Sequence, residues 1–456
     1  MARKLFGTDG VRGVAGEFLT AELALALGRA ATHRTGSRRP QVLIVRDTRQ
    51  SGEMLQAALA AGVSSAGGDA LLGGVLPTPA APLLIKRYGF DLAAVLSASH
   101  NPYEDNGIKF FAADGYKLSD EDELEIEREL AWAGFFGPGE VPAREGPPLA
   151  KDEQPAAIGH VRELRGAPED YLRELHTRFA ELDLKGLHVV LDCANGATYQ
   201  VAPEIFRRLG AEVEVMADAP DGRNINADCG STHIRGLAER VVAGGHEIGF
   251  AFDGDGDRML AVDGRGEVVD GDELLALATL HLRDSGRLSG NGVAVTVMTN
   301  YGFHAAMERE GVEVATTQVG DRYVLEELRA RDWALGGEQS GHIIEMGFNR
   351  TGDGIASALL TLEALGTGKL SERNAMSKLP QRLVNVRVRD REALQQAQEL
   401  TAAVGEAELE LAGRGRVLVR PSGTEPLVRV MVEAPTEQEA EEVCGRLVAL
   451  VERELS

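Results

Sequence analysis

The sequence between residues 41 and 68 reads QVLIVRDTRQSGEMLQAALAAGVSSAGG. It begins with a β-branched apolar run, QVLIVRD (41–47), which predicts a buried strand. A short polar turn follows, and Ser51 is placed to cap an alanine-rich helix that runs toward Gly67 and Gly68. A strand joined to a helix by a polar turn is the repeating unit of α/β proteins with parallel sheets.

The same order of strand, polar loop and helix recurs twice. The stretches LHVVLDCANG (187–196) and GVAVTVMTNYG (292–302) each run from an apolar strand into small polar residues, and a helical stretch follows. Within the first unit, LAAVLSA (92–98) and GIKFF (107–111) predict two more strands, and the acidic segment from Ser119 predicts a capped helix. We therefore predict three similar mixed α/β domains with largely parallel sheets.

The pattern changes near the end of the chain. After about residue 370, the stretches LVNVRVRD, GRVLVR and LVRVMVE and a final helix predict a smaller C-terminal α+β domain. The segment FFGPGEVPAREGPPL (135–149) is rich in Gly and Pro and predicts the first linker. The sequence therefore predicts four domains, with boundaries at residues 1–152, 153–257, 258–370 and 371–456.

Composition argues against several classes of protein. The 48 Lys and Arg residues face 71 Asp and Glu, which gives a net charge of −23 and disfavours nucleic acid or an anionic membrane as a partner. The three cysteines are far apart and show no Cys-x-x-Cys spacing, which disfavours structural zinc and a disulfide framework. No apolar run resembles a signal peptide or a membrane helix, so we expect a cytoplasmic protein.

The segment IGFAFDGDGDRML (248–260) runs from an apolar strand into alternating carboxylates. Glycines separate Asp253, Asp255 and Asp257 and let the backbone fold tightly, so that the three acids aim at one point. Carboxylate oxygens suit a hard divalent cation such as Mg²⁺. An EF-hand is excluded, because its twelfth position would be Gly264 where a bidentate Glu is needed. A solvated acidic loop is the alternative.

The stretch LSASHNPYEDNGIKFF (96–111) puts Ser99 beside His100 at the end of a predicted strand. Adjacent residues of an extended loop point in different directions, and no Gly-x-Ser-x-Gly elbow surrounds the serine, so a protease-like pair is not predicted. Pro102 biases Asn101 away from helix and holds the loop open. From these residues alone, a functional serine and a polar turn both stay open.

Two later loops carry groups that suit a phosphorylated sugar. The stretch VRPSGTEPLVRVMVE (419–433) contains Arg420, Ser422, Gly423, Thr424 and Arg429. Two guanidiniums, two hydroxyls and a glycine-containing backbone suit phosphate oxygens, and an exposed β-turn is the alternative. In LGGEQSGH (335–342), Glu338 and Ser340 follow a short apolar strand and suit sugar hydroxyls, although a hydrated loop explains them equally well.

Four of these stretches resemble, in order, the loops of the α-D-phosphohexomutase superfamily, and the resemblance extends over essentially the whole chain. SASHNP is similar to its phosphoserine loop, DGDGDR to its metal loop, GEQSGH to its sugar loop and RPSGTEPLVRV to its phosphate loop. Within the superfamily, the bacterial phosphoglucosamine mutase branch is resembled by FGTDGVRG (6–13), DCANGATY (192–199), DGRNINADCGSTH (221–233), VGDRYV (319–324) and Gln339.

The resemblance implies a mechanism built on a phosphoserine. Phospho-Ser99 would donate its phosphoryl group to a phosphorylated amino sugar, with glucosamine 1,6-bisphosphate as intermediate and activator. The net change would be glucosamine 6-phosphate to glucosamine 1-phosphate, which feeds UDP-N-acetylglucosamine and cell-wall synthesis. One Mg²⁺ per chain would be held by the Ser99 phosphate and the three aspartates. Lys109, His100 and Arg12 would be further catalytic residues.

The resemblance also implies how the sugar phosphate is held. Glu338 and Ser340 would bind sugar hydroxyls. The phosphate that is not reacting would be bound by Arg420, Ser422, Gly423, Thr424 and Arg429. Three other functions stay open: a metal-dependent phosphatase, because Asp-x-Asp motifs also serve phosphohydrolases, a sugar-phosphate sensor without turnover, and a phosphomannomutase or phosphoglucomutase. The sequence does not decide the oligomeric state, and a homodimer stays open.

Overall fold

The computed structural model of the chain describes residues 5–7, 9–132, 134–135, 158–390, 393–394, 397–421 and 427–455. The chain divides into two compact units. The larger unit is Met1–Thr296 with Thr316–Glu372, and the smaller is Val297–Ala315 with Arg373–Ser456. The predicted linker at 135–149 lies outside the described residues, apart from Phe135.

The first sheet of the larger unit has six strands. They are β1 (Val11–Val14), β2 (Gln41–Arg46), β3 (Asp69–Val75), β4 (Leu92–Leu96), β5 (Asp105–Ala112) and β6 (Val161–Glu163). Their order is β1-β5-β4-β2-β3-β6. The pairs β4–β2, β2–β3 and β3–β6 are parallel, whereas β5 is antiparallel to both of its neighbours. All five residues of β4 are buried, as its apolar sequence predicts.

Five helices accompany this sheet. They are α1 (Ala21–Arg34), α2 (Gly52–Ser65), α3 (Ala80–Tyr88), α4 (Asp120–Trp132) and α5 (Ala167–Arg178). The predicted cap of α4 is confirmed, because the Asp122 N–H donates to Ser119 Oγ at 3.2 Å. The predicted cap of α2 is wrong. Ser51 precedes α2 but has helical backbone angles and makes no capping bond, and its hydroxyl instead accepts from Asn106 Nδ2 at 2.8 Å.

The second sheet of the larger unit follows the same plan. Its elements are β7 (His188–Asp192), α6 (Val201–Arg208), β8 (Glu212–Met216), α7 (Arg235–Gly244), β9 (Ile248–Phe252), β10 (Met259–Asp263) and β11 (Val268–Val269). The strand order is β11-β10-β9-β7-β8. β7 is parallel to β8 and β9, and β10 is antiparallel to β9 and β11. The boundary predicted after residue 257 falls inside this sheet, so a boundary beyond Val269 suits the pairing better.

The chain then builds a third sheet. In chain order the next elements are α8 (Gly271–Asp284), β12 (Gly292–Thr296), α9 (Tyr301–Arg309), β13 (Glu313–Thr317), α10 (Asp321–Arg331), β14 (Leu335–Gly337), β15 (Ile343–Glu345) and α11 (Gly354–Leu365), of which α9 belongs to the smaller unit. β12 and β14 are parallel, and β15 is antiparallel to β14. Short 3₁₀ turns lie at Ser289–Asn291 and Leu370–Glu372.

The smaller unit contains an antiparallel sheet with strand order β16-β18-β17. Its elements after α9 are β16 (Gln381–Arg387), α12 (Gln398–Glu410), β17 (Arg416–Pro421), β18 (Leu427–Glu433) and α13 (Glu437–Leu455). The start of α9 is bound to this sheet, because the Tyr301 N–H donates to the buried Glu433 carboxylate at 2.7 Å. Arg416 pairs with the same carboxylate at 2.9 Å.

The predicted fold class is confirmed. Three mixed α/β sheets have parallel central strands, and a smaller antiparallel sheet with helices forms the C-terminal part. The four domain boundaries stay predictions, and Val297–Ala315, which they assign to the third domain, packs with the C-terminal residues. In the part of the chain that the structure describes, no helix has the length and apolar character needed to cross a membrane.

Candidate active site

Two loops that are far apart in sequence meet at Ser99. Ser99 follows β4, and Asp253 follows β9. The Ser99 hydroxyl donates to Asp253 Oδ2 at 2.5 Å, and both side chains are buried. Because the carboxyl ends of strands are where open α/β sheets bind ligands, this meeting point is a natural site for chemistry.

The three predicted metal ligands form one cluster. Each of Asp253, Asp255 and Asp257 offers a carboxylate oxygen, and these oxygens all lie within 4.8 Å of one another. All three residues are buried. Burial and the charges of Asp257 and Asp255 raise the pKa of Asp253 well above its ordinary value. Burial and the charge of Asp255 likewise raise the pKa of Asp257. The cluster is therefore costly to keep ionised without a bound cation.

Two oxygens of this cluster lack a hydrogen-bond partner among the described residues. They are the buried Oδ1 atoms of Asp255 and Asp257. Buried carboxylate oxygens without partners are uncommon, because their desolvation is not offset. A hard divalent cation would satisfy them, and oxygen ligands are the type that Mg²⁺ prefers. The residues present therefore fit a divalent cation at this position.

The glycines of the metal loop are explained by close approach to neighbouring backbone. A Cβ atom at Gly254 would lie 2.5 Å from the carbonyl oxygen of Ser99. Gly256 has a φ of +70°, in the left-handed region that glycine adopts without strain. The alternation of Asp and Gly thus lets the acidic loop pack directly against the serine loop.

Lys109 supplies the positive charge closest to the aspartates. It lies on β5, is buried, and its Nζ is 2.8 Å from Asp255 Oδ2 and 2.9 Å from Asp9 Oδ2. Burial alone would lower the pKa of Lys109, but the charges of Asp255, Asp9 and Asp257 raise it above its ordinary value. Lys109 also holds the pKa of Asp255 below its ordinary value, against the effect of burial. This ammonium group is therefore charged throughout the physiological pH range.

A chain of alternating charges continues from Lys109. Asp9 contacts Lys109, Arg12 and Lys117, and Lys117 Nζ lies 2.5 Å from both Asp9 Oδ1 and Asp321 Oδ2. The network therefore links β5 to the start of α10. Arg12, which the family resemblance implied as catalytic, is bound to Asp9, and its Nη1 donates to Ala98 O at 3.5 Å.

His100 lies closer to Ser99 than the sequence predicted. Its Nδ1 is 3.3 Å from Ser99 Oγ and 3.4 Å from Arg258 Nη1. The expectation that the two side chains point apart is wrong, because Ser99 has a φ of +53° and an extended loop does not. Burial, together with the charges of Arg258 and Arg12, lowers the pKa of His100 to about 4. The imidazole is therefore neutral at pH 7.

A cleft of about 370 Å³ opens beside these groups. Its polar lining side chains are Asp9, Arg12, Asp257, Arg258, Asp321, Glu338 and His342. Glu338 lies where the sequence predicted a sugar contact, and its Oε1 accepts from the Gly320 N–H at 3.1 Å. Ser340 is exposed and does not line the cleft. Four carboxylates facing two arginines and a histidine make the cleft a polar, hydrogen-bonding site.

Gln339, between Glu338 and Ser340, does not line the cleft. Its Nε2 donates to Asp270 Oδ2 at 3.2 Å, and Asp270 caps α8 by accepting from the Glu273 N–H. Gln339 therefore fastens the sugar loop to the start of a helix. Any effect of this residue on substrate choice would be transmitted through the position of that loop.

The predicted phosphate loop lies in the smaller unit. Ser422, Gly423 and Thr424 fall outside the described residues. Arg420 on β17 and Arg429 on β18 are direct cross-strand partners, so both guanidiniums project from one face of the sheet. Burial and the charge of Arg429 lower the pKa of Arg420. Two like charges held side by side favour an anionic ligand.

The amino-acid sequence matches known proteins along its whole length. Models of the phosphoglucomutase/phosphomannomutase alpha/beta/alpha domains I, II and III match residues 3–135, 169–266 and 270–383, and that of the C-terminal domain matches 383–450. Phosphoglucosamine mutase from Moorella thermoacetica is 51% identical over 449 residues, which cover 97% of this chain and 98% of that relative. The chain belongs to the phosphoglucosamine mutase family. The relative of the same name from Bacillus subtilis is 46% identical and is matched over 99% of both chains.

Solved structures share the fold at lower sequence identity. A phosphoglucomutase/phosphomannomutase family protein from Burkholderia thailandensis matches with a TM-score of 0.79 and 23% identity, over 99% of this chain and 97% of that one. N-acetylphosphoglucosamine mutase from Aspergillus fumigatus, solved with GlcNAc-6P and magnesium, matches with a TM-score of 0.68 and 18% identity, over 99% and 96%. Both likenesses concern the fold.

The sequence assigned no role to five residues of the site: Asp9, Lys117, Arg258, Asp321 and His342. Asp9 and Asp321 lie within FGTDGVRG and VGDRYV, stretches that the family resemblance marked without assigning their side chains a role. Arg258 and His342 close the motifs DGDGDR and GEQSGH, so motif membership was an available signal. Lys117 carried none, because its two partners, Asp9 and Asp321, lie in distant parts of the sequence.

Proposed function

We propose that the chain interconverts glucosamine 6-phosphate and glucosamine 1-phosphate through a phosphoserine at Ser99. The observation that carries the proposal is the 2.5 Å contact between Ser99 Oγ and the Asp253 carboxylate, within a buried cluster of three aspartates. Membership of the phosphoglucosamine mutase family supports the substrate class. The product would enter the synthesis of amino-sugar nucleotides.

Ser99 would carry the phosphoryl group in the resting enzyme. In the first half of the cycle that group passes to the free hydroxyl of the sugar phosphate, which gives glucosamine 1,6-bisphosphate. In the second half the other phosphate of the bisphosphate returns to Ser99 Oγ, and the isomeric monophosphate leaves. The bisphosphate thus serves as both intermediate and activator, and no phosphate is lost to water.

The charges of the site explain how Ser99 could carry a phosphate. A phosphoserine adds a charge of up to about −2 beside the three aspartates. Lys109 supplies a permanent positive charge 2.8 Å from Asp255, and Arg12 and Arg258 line the adjoining cleft. His100 Nδ1 lies 3.3 Å from Ser99 Oγ and would orient that oxygen.

A divalent cation would offset the remaining negative charge of the aspartates and the phosphoserine. Asp253, Asp255 and Asp257 together with a phosphate on Ser99 would hold one Mg²⁺. When bound, the ion supplies Lewis-acid stabilisation of the charge on the transferring group. The Oδ1 atoms of Asp255 and Asp257, which accept no hydrogen bond among the described residues, support this assignment.

The remaining predicted residues would recognise the substrate. Glu338 in the cleft and Ser340 beside it would bind sugar hydroxyls. The phosphate that does not react would be bound by Arg420, Ser422, Gly423, Thr424 and Arg429. Each phosphate of the bisphosphate is the reacting phosphate in one half of the cycle and the bound, non-reacting phosphate in the other. Hydrogen bonds to hydroxyls and phosphate oxygens therefore suit a sugar that must bind in two orientations. A cytoplasmic location completes the proposal, and free cysteines suit a reducing compartment.

The direct test compares three substrates. The ratio kcat/KM is measured for glucosamine 6-phosphate, glucose 6-phosphate and mannose 6-phosphate, each with Mg²⁺ and a trace of the matching 1,6-bisphosphate. We expect glucosamine 6-phosphate to be preferred by at least about 100-fold. A preference for glucose or mannose phosphate would instead identify a phosphoglucomutase or phosphomannomutase. Net release of inorganic phosphate would identify a phosphatase, and binding without turnover would identify a sensor.

A further inference from the structure

One buried arginine binds the backbone of the serine loop, defined here as residues 97–105. Arg49 uses all five of its N–H groups, the full number that a guanidinium offers. Its Nε donates to Asp47 Oδ2 at 2.8 Å, and both side chains are fully buried. Its terminal nitrogens donate to four carbonyls of the serine loop. These are Ser99 O (2.8 Å), Asn101 O (2.9 Å), Asp105 O (3.0 Å) and Pro102 O.

A second donor reaches two of the same carbonyls from the other sheet. Asn226 lies in the segment between β8 and α7, and its Nδ2 donates to Ser99 O at 2.9 Å and to Asn101 O at 3.1 Å. Each of these two carbonyl oxygens therefore accepts from both Arg49 and Asn226. A carbonyl oxygen has two lone pairs, so both of its acceptor positions are used.

The Asp47–Arg49 pair also holds the other end of the Ser99 residue. The Ser99 N–H donates to Ser97 Oγ at 2.9 Å, and the Ser97 hydroxyl donates to Asp47 Oδ2 at 2.5 Å. The amide before Ser99 Cα and the carbonyl after it are thus fixed by one ion pair. The Ser99 hydroxyl takes no part in this set of bonds and faces Asp253 instead.

These hydrogen bonds hold Ser99 in a backbone conformation that is otherwise unfavourable. Ser99 has a φ of +53°, in the left-handed region that residues with a Cβ rarely adopt. Such a conformation persists only where the surroundings over-determine it. In this conformation Ser99 Oγ lies 2.5 Å from Asp253 Oδ2, whereas an extended residue at this point would aim its side chain elsewhere.

We infer that Arg49 and Asn226 are positioning residues for phosphoryl transfer, which clamp Ser99 in its left-handed conformation so that Oγ faces the metal loop. Neither residue contacts Ser99 Oγ among the described contacts, so each acts through the backbone. The inference rests on the proposed phosphoserine function of Ser99. It adds that turnover, and not sugar-phosphate binding, depends on this clamp, because the clamp does not line the cleft.

The first test replaces Arg49 while keeping its charge. Lysine offers three donors without a planar fork, so Arg49→Lys leaves at least two of the five acceptors unbound. We expect kcat to fall by about 100-fold while KM stays within about threefold of the parent value. Amide hydrogen exchange in peptides covering residues 97–105 should become faster, which is a readout independent of activity. Phosphorylation of Ser99 by glucosamine 1,6-bisphosphate should slow in parallel with kcat.

The matched control is Arg178→Lys. Arg178 pairs with Glu345 at 2.8 Å and with Glu363 at 3.2 Å, and it makes no contact with the serine loop among the described contacts. This variant loses a comparable set of charge-assisted bonds, so it reports the cost of replacing a partly buried arginine. We expect its kcat and the exchange of residues 97–105 to match the parent, whatever happens to its Tm.

The second test removes the other donor. Asn226→Gly deletes the amide group and keeps the φ of +58° accessible at this position. We expect a loss of about tenfold in kcat, because Arg49 still binds both carbonyls. In the double variant with Arg49→Lys, the loss in kcat should exceed the product of the two single losses, since neither carbonyl then keeps a strong donor.

Two results would overturn the inference. One is an Arg49→Lys enzyme whose kcat and loop exchange match the parent. The other is an equal loss of kcat in Arg49→Lys and Arg178→Lys, which would make the effect one of general stability. If the parent chain showed no mutase turnover, the proposed function would fail instead. Even then, amide exchange of residues 97–105 that is faster in Arg49→Lys and unchanged in Arg178→Lys would show that Arg49 restrains the serine loop.

Discussion

Two buried charged clusters meet at Ser99, and they differ in how completely their polar groups are satisfied. Behind the backbone of Ser99, Arg49 has a partner for each of its five N–H groups. In front of its hydroxyl, the aspartates of the metal loop repel one another. Two of their buried oxygens have no hydrogen-bond partner among the described residues.

The difference separates two kinds of buried charge. A fully satisfied cluster such as Asp47–Arg49 has one stable arrangement and therefore suits the task of holding a loop still. A cluster with surplus acceptors and like charges is unstable until a cation or a new donor binds. Lys109 offsets only part of the surplus, because the pKa of Asp253 is still raised well above its ordinary value. The unsatisfied cluster is therefore the one that we expect to bind ligands.

Metal removal should produce the largest effect. Treatment with EDTA is expected to lower kcat by at least about 1,000-fold, because the three aspartates and a phosphoserine then repel one another. Added Mg²⁺ should restore activity and raise the Tm of the parent chain. The Asp253→Asn/Asp257→Asn variant should show neither response, whereas the control Glu345→Gln should show both. An unchanged kcat after complete removal of divalent cations would contradict the proposal that the aspartate cluster needs a bound cation.

Asp353 is a buried carboxylate that has hydrogen-bond donors but, within the described part of the chain, no positively charged partner, so it lies between the two clusters in how well its charge is satisfied. Asp353 accepts from Tyr171 Oη at 2.9 Å and from the Ala356 N–H at 3.0 Å, but no cation contacts it among the described residues. Burial raises its pKa to about 6. Because the folded-state pKa lies above the unfolded value, its contribution to stability is complete below about pH 4 and is lost as pH rises through 6.

The corresponding measurement is the free energy of unfolding as a function of pH. The difference between the parent and Asp353→Asn should fall by about 2 kcal/mol from pH 4 to pH 7, which is most of the pKa shift expressed as free energy. Tyr171→Phe removes a donor to the carboxylate and should steepen the fall. A difference that does not vary with pH would show that Asp353 carries no such shift.

Arg420 allows the comparison to be extended to the smaller unit. Arg420 and Arg429 are cross-strand partners that place two positive charges side by side, as the metal loop does with negative charges. Such a pair favours an anion, whereas the metal loop favours a cation. Arg420→Ala should lower kcat/KM for the sugar phosphate by about 100-fold. The matched control is Arg382→Ala, an exposed arginine on β16 of the same sheet, and it should change kcat/KM by less than about twofold. Equal effects of the two changes would contradict a phosphate site at Arg420.

Gln339 should give the smallest effect. Its amide binds Asp270 and does not line the cleft. Gln339→Met therefore should leave the preference for glucosamine 6-phosphate over glucose 6-phosphate within about threefold of the parent value. A reversal of that preference would show that Gln339 selects the sugar, as its value as a family marker suggested.

Local patterns in the sequence predicted the fold class and the loops of the site. Apolar runs such as LAAVL, followed by polar turns and helical stretches, are determined by neighbouring residues and can be read directly. The Asp-Gly alternation likewise indicated a cation site. The cap at Ser51 was predicted wrongly, because Asn106, more than 50 residues away in sequence, competes for its hydroxyl.

What the sequence did not predict depends on contacts between distant segments. Arg49 reads as part of a polar turn, and its four carbonyl partners lie about 50 residues further on. Lys117 contacts both Asp9 and Asp321, and Asp321 lies 204 residues after Lys117 in the sequence. The left-handed Ser99 is another such case, since backbone conformation at a serine carries no local sign. Each of these features becomes visible only when the sheets are assembled.

The most direct test of the account is detection of the phosphate on Ser99. The purified chain is incubated with Mg²⁺ and glucosamine 1,6-bisphosphate, and tryptic peptides covering Ser97–Lys109 are analysed by mass spectrometry alongside the Ser99→Ala variant. We predict one phosphate on Ser99 in the parent chain, none on this peptide in the variant, and mutase activity of the variant at assay background. Near-parent activity of Ser99→Ala, or a phosphate on another residue of the site, would contradict the account.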